Sequence, residues 1–253
     1  MATIAQPSTM SLFLEMQFDG HTLATGTGFL VRRAGRIYLV TNRHNLRGRR
    51  NDNDQPLHPM GALPDAVVVH HNAAGRLGMW FTRADRLYND ADQPLWLDHP
   101  RLDGQVDAVA LPLTDLNGVA VYDYDPWSPG APLFVGVSDA VSIPRFPFGH
   151  RAGGNLAIWV QGAIASEPGV DLDNLPLLMI DSRTRPGSSG SPVIIYRSGG
   201  MVALDDGSTA AYNGPVWRFL GIYSGRISAE SDLGHVWKAP AIAEIIDGQR
   251  RVS

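Results

Sequence analysis

The chain has 253 residues, of which 44% are hydrophobic and 18% are charged, the proportions of an ordinary globular protein. Its formal net charge of −4 excludes a general electrostatic attraction to nucleic acid or to an anionic membrane surface. Because the chain contains no cysteine, disulfides, thiolate catalysis and cysteine-ligated zinc are excluded as well.

Residues 1–18 lack the basic segment and continuous apolar run of a signal peptide. No stretch of the sequence approaches the roughly 18 apolar residues that cross a bilayer. Many secreted proteins of this size are held together by disulfides, so the absence of disulfides fits a reducing compartment, although bacterial secreted proteins can also lack them. These features predict a cytoplasmic location and no membrane partner.

Short apolar runs, rich in Val, Ile, Leu and aromatic residues, are separated along the chain by Gly, Pro, Asn and Asp. This spacing is typical of β-sandwiches and β-barrels, whereas segments with a 3.6-residue period are nearly absent. The clearest helix is predicted over residues 239–247, with Pro240 in its first turn and Gly248 after its end. The predicted strands span residues 11–18, 27–33, 37–41, 66–70, 107–113, 156–164, 175–180, 192–196 and 217–223.

The segment YDYDPWSPGAP at residues 122–132 is rich in Pro, Gly and Asp, which is typical of a connector. We therefore expect an N-terminal unit over residues 1–121 and a C-terminal unit over residues 133–253. A long surface loop is predicted over residues 50–64, and a hairpin loop near residues 204–214.

The segment PGSSGSP at residues 186–192, which we call the Gly/Ser turn, precedes an apolar strand. Its small residues let the backbone turn tightly, so that consecutive amides can point into one small volume and stabilise an oxyanion. Ser189, in the middle of the turn, would lie beside that volume. The alternative is a hairpin turn without chemistry, and this segment alone does not separate the two.

Two further segments place polar residues beside apolar strands. In YLVTNRHNL, residues 38–46, His44 follows a strand and can project into a cleft. In QVDAVALPL, residues 105–113, Asp107 opens a strand, where partial burial would strengthen its hold on an imidazole N–H. Taken singly, each residue could instead be purely structural.

Together these segments resemble the trypsin/chymotrypsin family of serine peptidases, in its bacterial, cysteine-free form. Residues 41–44 (TNRH) are similar to the family's Thr-Ala-Ala-His, and residues 107–111 (DAVAL) to its Asp-Ile-Ala-Leu. Residues 187–192 (GSSGSP) are similar to Gly-Asp-Ser-Gly-Gly-Pro, and residues 221–225 (GIYSG) to Gly-Ile-Val-Ser-Trp-Gly. The order His, Asp, Ser along the chain is also that of the family.

The resemblance implies an all-β fold of two antiparallel six-stranded β-barrels with a cleft between them and a C-terminal helix. It implies a serine endopeptidase that acts on protein or peptide substrates and needs no metal or organic cofactor. Ser189 would be the nucleophile, His44 its base and Asp107 the carboxylate that orients the base. The backbone N–H groups of Gly187 and Ser189 would form the oxyanion hole, and Ser224 would bind Asp107.

Two positions depart from the family motif. Animal digestive members carry an aspartate at the position of Ser188, where it pairs with a newly cut N-terminus because an unpaired buried charge is costly. Ser188 is uncharged and no Ile-Val-Gly-Gly segment occurs, so we expect activity without N-terminal cleavage. Ser191 replaces the second glycine, a position where bacterial and viral relatives tolerate small residues.

The resemblance also implies a primary specificity pocket. The trypsin-type aspartate is missing, so a preference for Lys or Arg is not expected. The basic residues of the pocket could attract an acidic side chain, or they could pair with carboxylates of the chain or face solvent. The predicted base and walls are Arg183, Thr184, Tyr223, Gly225, Arg226 and His235.

Other classes fit less well. An α/β-hydrolase elbow needs glycine at position 191 and alternating helices, so an arrangement of Ser189, Asp232 and His235 has no support. A metal enzyme is also poorly supported. The adjacent histidines at residues 70–71 would face opposite sides of a strand, so they cannot bind the same metal ion. The serious rival is a peptidase-like fold acting as a silent binding or scaffold module. A third possibility is an enzyme held latent until a regulatory protein partner or signal orders its loops.

Overall fold

The fold is described from a computed structural model, which covers residues 4–183, 186–228 and 230–248. The helices are α1 (Gln6–Met10), α2 (Arg43–Arg47) and α3 (Ala239–Gly248), with a 3₁₀ turn at Pro147–Gly149. The strands are β1 (Ser11–Phe18), β2 (His21–Arg33), β3 (Arg36–Thr41), β4 (Ala66–Asn72), β5 (Trp80–Arg86), β6 (Val109–Leu113), β7 (Asp123–Tyr124), β8 (Ala140–Arg145), β9 (Ile158–Ile164), β10 (Leu177–Asp181), β11 (Pro192–Arg197), β12 (Gly200–Ala203), β13 (Thr209–Tyr212), β14 (Val216–Arg226) and β15 (Leu233–Lys238).

The first half of the chain forms a curled sheet. Among the described residues its strand order is β5-β4-β1-β2-β3-β6, and β7 pairs in parallel with β2. Leu12, Leu14 and Met16, two residues apart on β1, are all buried on the concave side of this sheet. The period of two follows from the pleat, which sends alternate side chains to opposite faces.

The second half closes into a barrel. The described strands follow the order β10-β15-β14-β11-β8-β9, and pairing of Ile180 with Ile164 joins β10 back to β9. Closure gives each described strand of the barrel two paired neighbours. The hairpin of β12 and β13 lies outside this barrel path.

A core cluster shared by both halves fixes their relative position. Phe29 of the first sheet lies 5.4 Å from Phe219 of the barrel, measured between ring centroids. Ile242, Ile245 and Ile246 of α3, spaced as one face of a helix, are buried in the same cluster. The two halves therefore pack directly against each other through this cluster.

The predicted mostly-β fold with a C-terminal helix is confirmed. The barrel is closed, while the N-terminal sheet is a curled half-barrel. The predicted connector, residues 122–132, begins with β7, and the predicted loop near residues 204–214 includes β13 of a hairpin. Helix α3 includes Gly248 instead of ending before it. Within the described residues, no helix is both long and apolar enough to cross a membrane.

Several strands were not predicted because they lack a clear apolar run. None of the side chains of β5 is fully buried, and β8 contains a proline and ends on an arginine. Strand β15 carries a glycine and a histidine among its first three residues. Tertiary pairing holds these segments extended where local propensity is weak.

Candidate active site

The side chain of His44 is held by a single helical turn. Strand β3 ends at Thr41 and α2 begins at Arg43, so the ring projects from the first turn after a buried strand. Gly48, in the left-handed conformation at φ +68°, ends α2, and its N–H donates to the carbonyl of His44 at 3.0 Å. The buried Asn42 donates from Nδ2 to the carbonyl of Asp107 at 2.6 Å. The segment before the helix is thereby tied to the segment that bears Asp107.

Asp107 is 5% exposed, and its carboxylate accepts three hydrogen bonds. Its Oδ1 accepts the backbone N–H of His44 at 2.9 Å. Its Oδ2 lies 2.6 Å from Nδ1 of His44 and accepts the hydroxyl of Ser224 at 2.7 Å. Because an ionised carboxylate only accepts, the proton of the neutral imidazole sits on Nδ1. Its Nε2 is then free to accept a proton.

The surroundings of His44 change its pKa in opposite directions. Burial lowers it, but the charge of Asp107 and the hydrogen bond to Asp107 raise it more, so that the net pKa of His44 is raised. The guanidinium of Arg50 opposes this rise by repelling the imidazolium. Asp107 thus stabilises the protonated form that a general base must pass through.

The Gly/Ser turn is anchored on the first sheet. Thr27 of β2 is fully buried; its N–H donates to the carbonyl of Ser189 at 3.0 Å and its hydroxyl to that of Gly187 at 2.9 Å. At Gly190, where φ is +84°, an added Cβ would lie 2.0 Å from the carbonyl oxygen of Thr27, so only glycine fits there. Asn45 of α2 also reaches the carbonyl of Ser189, with its Nδ2 at 3.4 Å. The turn, which precedes a strand of the barrel, is therefore positioned by residues of the first half.

A buried guanidinium lies beneath the same turn. Arg145, 3% exposed, donates from one terminal nitrogen to the hydroxyl of Ser188 and from the other to the carbonyl of Arg183 at 3.1 Å. Hydrogen bonds to a charged donor are stronger than neutral ones. Ser188, next to the proposed nucleophile, is thus fixed from inside the barrel.

A cleft of about 500 Å³ opens between the two halves. Its lining brings together His44, Asp107, Ser189 and Ser224 from four separate segments. Among the described residues, no hydrogen bond joins the hydroxyl of Ser189 to His44. Hydrogen bonds of this kind are often long in an unliganded enzyme and shorten when substrate binds.

The predicted pocket residues fall into two groups. Gly225, Arg226 and His235 line the cleft, and burial lowers the pKa of His235 despite the nearby charge of Asp173. The predicted pocket residues Tyr223 and Arg183 are not part of the lining. Gly187, which was predicted for the oxyanion hole, is not part of it either. Tyr223 is 2% exposed, whereas the Arg183 side chain is exposed with its Nε 3.9 Å from a carboxylate oxygen of Asp232. Thr184 lies outside the described residues.

Sequence reasoning missed several residues around the site. The polar pair Asn42 and Asn45 flanks His44 and could have been noticed at a strand end, where unpaired backbone groups need partners. Thr27 and Arg145 carried no local signal, because their partners lie in distant segments. Also missed in the cleft lining were Arg50, Asn51, Asp52, Leu57, Gln105, Leu175, Leu177, Ile227 and Trp237.

Solved structures share this fold at low sequence identity. A serine endoprotease from Yersinia pestis aligns with TM-score 0.56 and 13% identity, over 100% of this chain and 69% of its own. The protease Anisep from Arthrobacter nicotinovorans aligns with TM-score 0.55 and 13% identity, over 96% of each chain. The inactive form of a serine-to-alanine mutant of Rv3671c from M. tuberculosis H37Rv aligns with TM-score 0.51 and 15% identity, over 98% of this chain and 89% of its own. They place this chain in the chymotrypsin-like fold.

The trypsin-like peptidase domain family matches residues 26–204, more than half of the chain. The chain therefore belongs to the trypsin-like peptidase family, which confirms the family and the serine-endopeptidase class expected from its motifs. Membership implies protein or peptide substrates. No curated protein sequence matches the chain significantly.

Proposed function

We propose that the chain cleaves peptide bonds through a Ser189–His44–Asp107 triad and an acyl-enzyme intermediate. The hydroxyl oxygen of Ser189 attacks the scissile carbonyl carbon while His44 Nε2 takes its proton. The tetrahedral intermediate collapses as His44 delivers that proton to the leaving amine, leaving an ester on Ser189. Water then attacks the ester carbonyl carbon while His44 takes its proton. The second tetrahedral intermediate collapses, the C–O bond to Ser189 breaks, and His44 returns that proton to the Ser189 oxygen as the carboxylic acid product leaves. The N–H groups of Gly187 and Ser189 bind the oxyanion in both steps.

The observation that carries this proposal is the bonding of the Asp107 carboxylate. It is buried, it accepts both the ring and the backbone N–H of His44, and it accepts the hydroxyl of Ser224. A structural histidine needs only one such partner. An imidazole held at two points, with its other nitrogen left for the cleft that Ser189 lines, suits a general base.

Two other candidates are a latent enzyme and a silent binding or scaffold module. The described residues show no hydrogen bond between Ser189 and His44. A regulatory partner or a substrate that moves the Gly/Ser turn toward α2 would complete the triad in a latent enzyme. A silent module would never complete it.

A fluorophosphonate probe separates these candidates. We expect the wild-type protein to be labelled on Ser189, and the Ser189→Ala and His44→Ala variants to remain unlabelled. Labelling that appears only after a peptide or a partner protein is added would identify a latent enzyme. A folded wild-type protein that stays unlabelled in all of these mixtures would identify a silent module. Peptide-library profiling beside Ser189→Ala then measures substrate preference, and equal cleavage after acidic and neutral residues would remove the acidic-pocket hypothesis.

A further inference from the structure

We propose that Ser191 is a positioning residue for the oxyanion hole. Its hydroxyl holds the carbonyl of Ser188 on the buried side of the Gly/Ser turn, and this aims the N–H of Ser189 into the cleft. The inference rests on the proposed function, because it takes that N–H as an oxyanion donor.

The contacts of Ser191 are unusual for a turn residue. It is fully buried, and its Oγ donates to the carbonyl oxygen of Ser188 at 2.6 Å. Its backbone N–H donates to the same oxygen at 3.2 Å. One carbonyl therefore receives two donors from one residue, which restrains it more firmly than a turn hydrogen bond alone.

The peptide plane transmits this restraint to Ser189. In a planar trans peptide the C=O of one residue and the N–H of the next point in opposite directions. Fixing the carbonyl of Ser188 toward the interior therefore fixes the N–H of Ser189 away from it. The rotation of that one plane decides whether the amide faces the oxyanion.

The other oxyanion amide is aimed in the same way, but by the backbone. The N–H of Phe148 donates to the carbonyl of Pro186 at 2.8 Å, and this peptide plane carries the N–H of Gly187. Phe148 has φ +52°, a conformation that is uncommon for a residue with a side chain. The hydroxyl of Ser191 is a donor that a substitution can remove while the backbone is kept.

The hydroxyl of Ser191 acts on a different group of Ser188 from the one that Arg145 binds. Arg145 holds the side chain of Ser188, whereas Ser191 holds its carbonyl. The family motif has glycine at the position of Ser191 and so lacks this hydroxyl. Loss of the hydroxyl should weaken binding of the oxyanion, which forms in the tetrahedral intermediate and in the transition states that lead to and from it, and leave ground-state binding unchanged.

The test is the Ser191→Ala variant, assayed with a peptide ester and with a peptide boronate that forms a tetrahedral adduct on the nucleophile. We expect kcat to fall about tenfold, less than the loss of a whole oxyanion donor, while KM stays within about twofold. Affinity for the boronate should fall by the same factor as kcat/KM. A variant damaged only in its folding would not show this split, because its folded fraction would retain the wild-type affinity for the boronate.

Ser11→Ala is the matched control. Ser11 is also buried, and its hydroxyl also donates to a backbone carbonyl, that of Pro144 at 3.2 Å, outside the Gly/Ser turn. We expect kcat of this variant within about twofold of wild type. Ser191→Gly is the second test variant, because it removes the same hydroxyl and gives the motif that the family itself carries.

The outcomes separate this inference from the proposed function. A wild-type enzyme that is active, with both Ser191 variants equal to it in kcat and boronate affinity, would overturn the positioning role alone. A fall in kcat with unchanged boronate affinity would also overturn it. A folded wild-type protein that neither hydrolyses the ester nor binds the boronate would overturn both.

Discussion

Asp107 binds His44 at two points, through the ring Nδ1 at 2.6 Å and through the backbone N–H at 2.9 Å. The first contact sets the tautomer of the imidazole, and the second sets the position of the helix turn that bears it. An amide in place of the carboxylate would present an N–H to one of these donors. The geometry would persist, but the tautomer would be wrong for catalysis.

Asp107→Asn should therefore lower kcat by about 10⁴-fold, the effect of the same neutralisation elsewhere in the chymotrypsin fold, with little change in KM. Steady-state kinetics on a peptide ester measures it. Asp98→Asn is the control, since Asp98 accepts a hydrogen bond from the neighbouring Arg43 at 2.9 Å and not from His44. A loss below tenfold for Asp107→Asn would remove its assigned role.

The pH dependence of kcat/KM should follow His44. The base works when neutral, so activity rises with pH as the imidazolium loses its proton. Because the pKa of His44 is raised, this rise should be centred above pH ~6.5, the value of an unperturbed imidazole. A pH–rate profile of the free enzyme measures it.

Arg50→Ala should move that profile further toward high pH. The guanidinium of Arg50 lowers the pKa of His44, so its removal raises that pKa and delays deprotonation. Arg49→Ala is the control, because Arg49 is not among the groups that shift the pKa of His44. A profile for Arg50→Ala that moves toward low pH would contradict the electrostatic account.

Ser224→Ala should reduce kcat, though by less than Asp107→Asn does. The hydroxyl donates to Asp107 at 2.7 Å, and a hydrogen bond to a charged group contributes about 1.5–3 kcal/mol, so a tenfold or larger loss is expected. The same steady-state assay measures it, with Ser228→Ala, an exposed serine, as the control. Unchanged kcat would mean that the two bonds from His44 suffice to hold the carboxylate.

Stability should depend on a contact that joins the two halves through α3. Asp247 accepts a bidentate pair from Arg33 at 2.8 and 2.9 Å and the indole N–H of Trp127 at 2.8 Å. Asp247→Ala should lower the free energy of unfolding by about 1–2 kcal/mol. Urea denaturation measures it. Asp90→Ala, which removes an exposed ion pair with Arg86, is the control and should lower the free energy of unfolding by at most about 0.5 kcal/mol. Equal decreases for the two variants would contradict a stabilising role for the Asp247 contact.

The 253-residue chain should need no N-terminal trimming for activity. In digestive members of the family, a newly cut N-terminus supplies the positive charge that binds the residue before the nucleophile. Here the buried guanidinium of Arg145 already binds that residue, because it donates to the hydroxyl of Ser188. We expect the same activity per fluorophosphonate-labelled site before and after limited removal of N-terminal residues. Activity that appears only after trimming would show that a new N-terminus is required.

The sequence was most informative where chemistry and strand ends coincide. His44, Asp107, Ser189 and Ser224 each lie in or beside an apolar strand with a motif of its own, so they could be proposed without coordinates. Their assembly in one cleft depends on strand pairings across the whole chain. The same holds for the fold, since β1 was predicted from its apolar run, while β5 has no fully buried side chain and was missed.

The supporting hydrogen bonds could not be predicted from the sequence. Thr27 binds carbonyls that lie about 160 residues away in the chain, and that contact depends on the register of β2 against the Gly/Ser turn. The sequence around Arg145 does not predict that its side chain is buried, because that burial depends on the place of β8 in the closed barrel. Their identities follow from the folded geometry and not from local patterns.

Trapping the acyl-enzyme tests the central claim most directly. The protein is mixed with an activated peptide ester at a pH low enough to slow hydrolysis of the acyl intermediate, then digested and analysed by mass spectrometry. We expect the acyl group on Ser189, and none on the Ser189→Ala protein. An active wild-type enzyme whose acyl group is found on another residue, or that turns over without any acylated residue, would contradict the account.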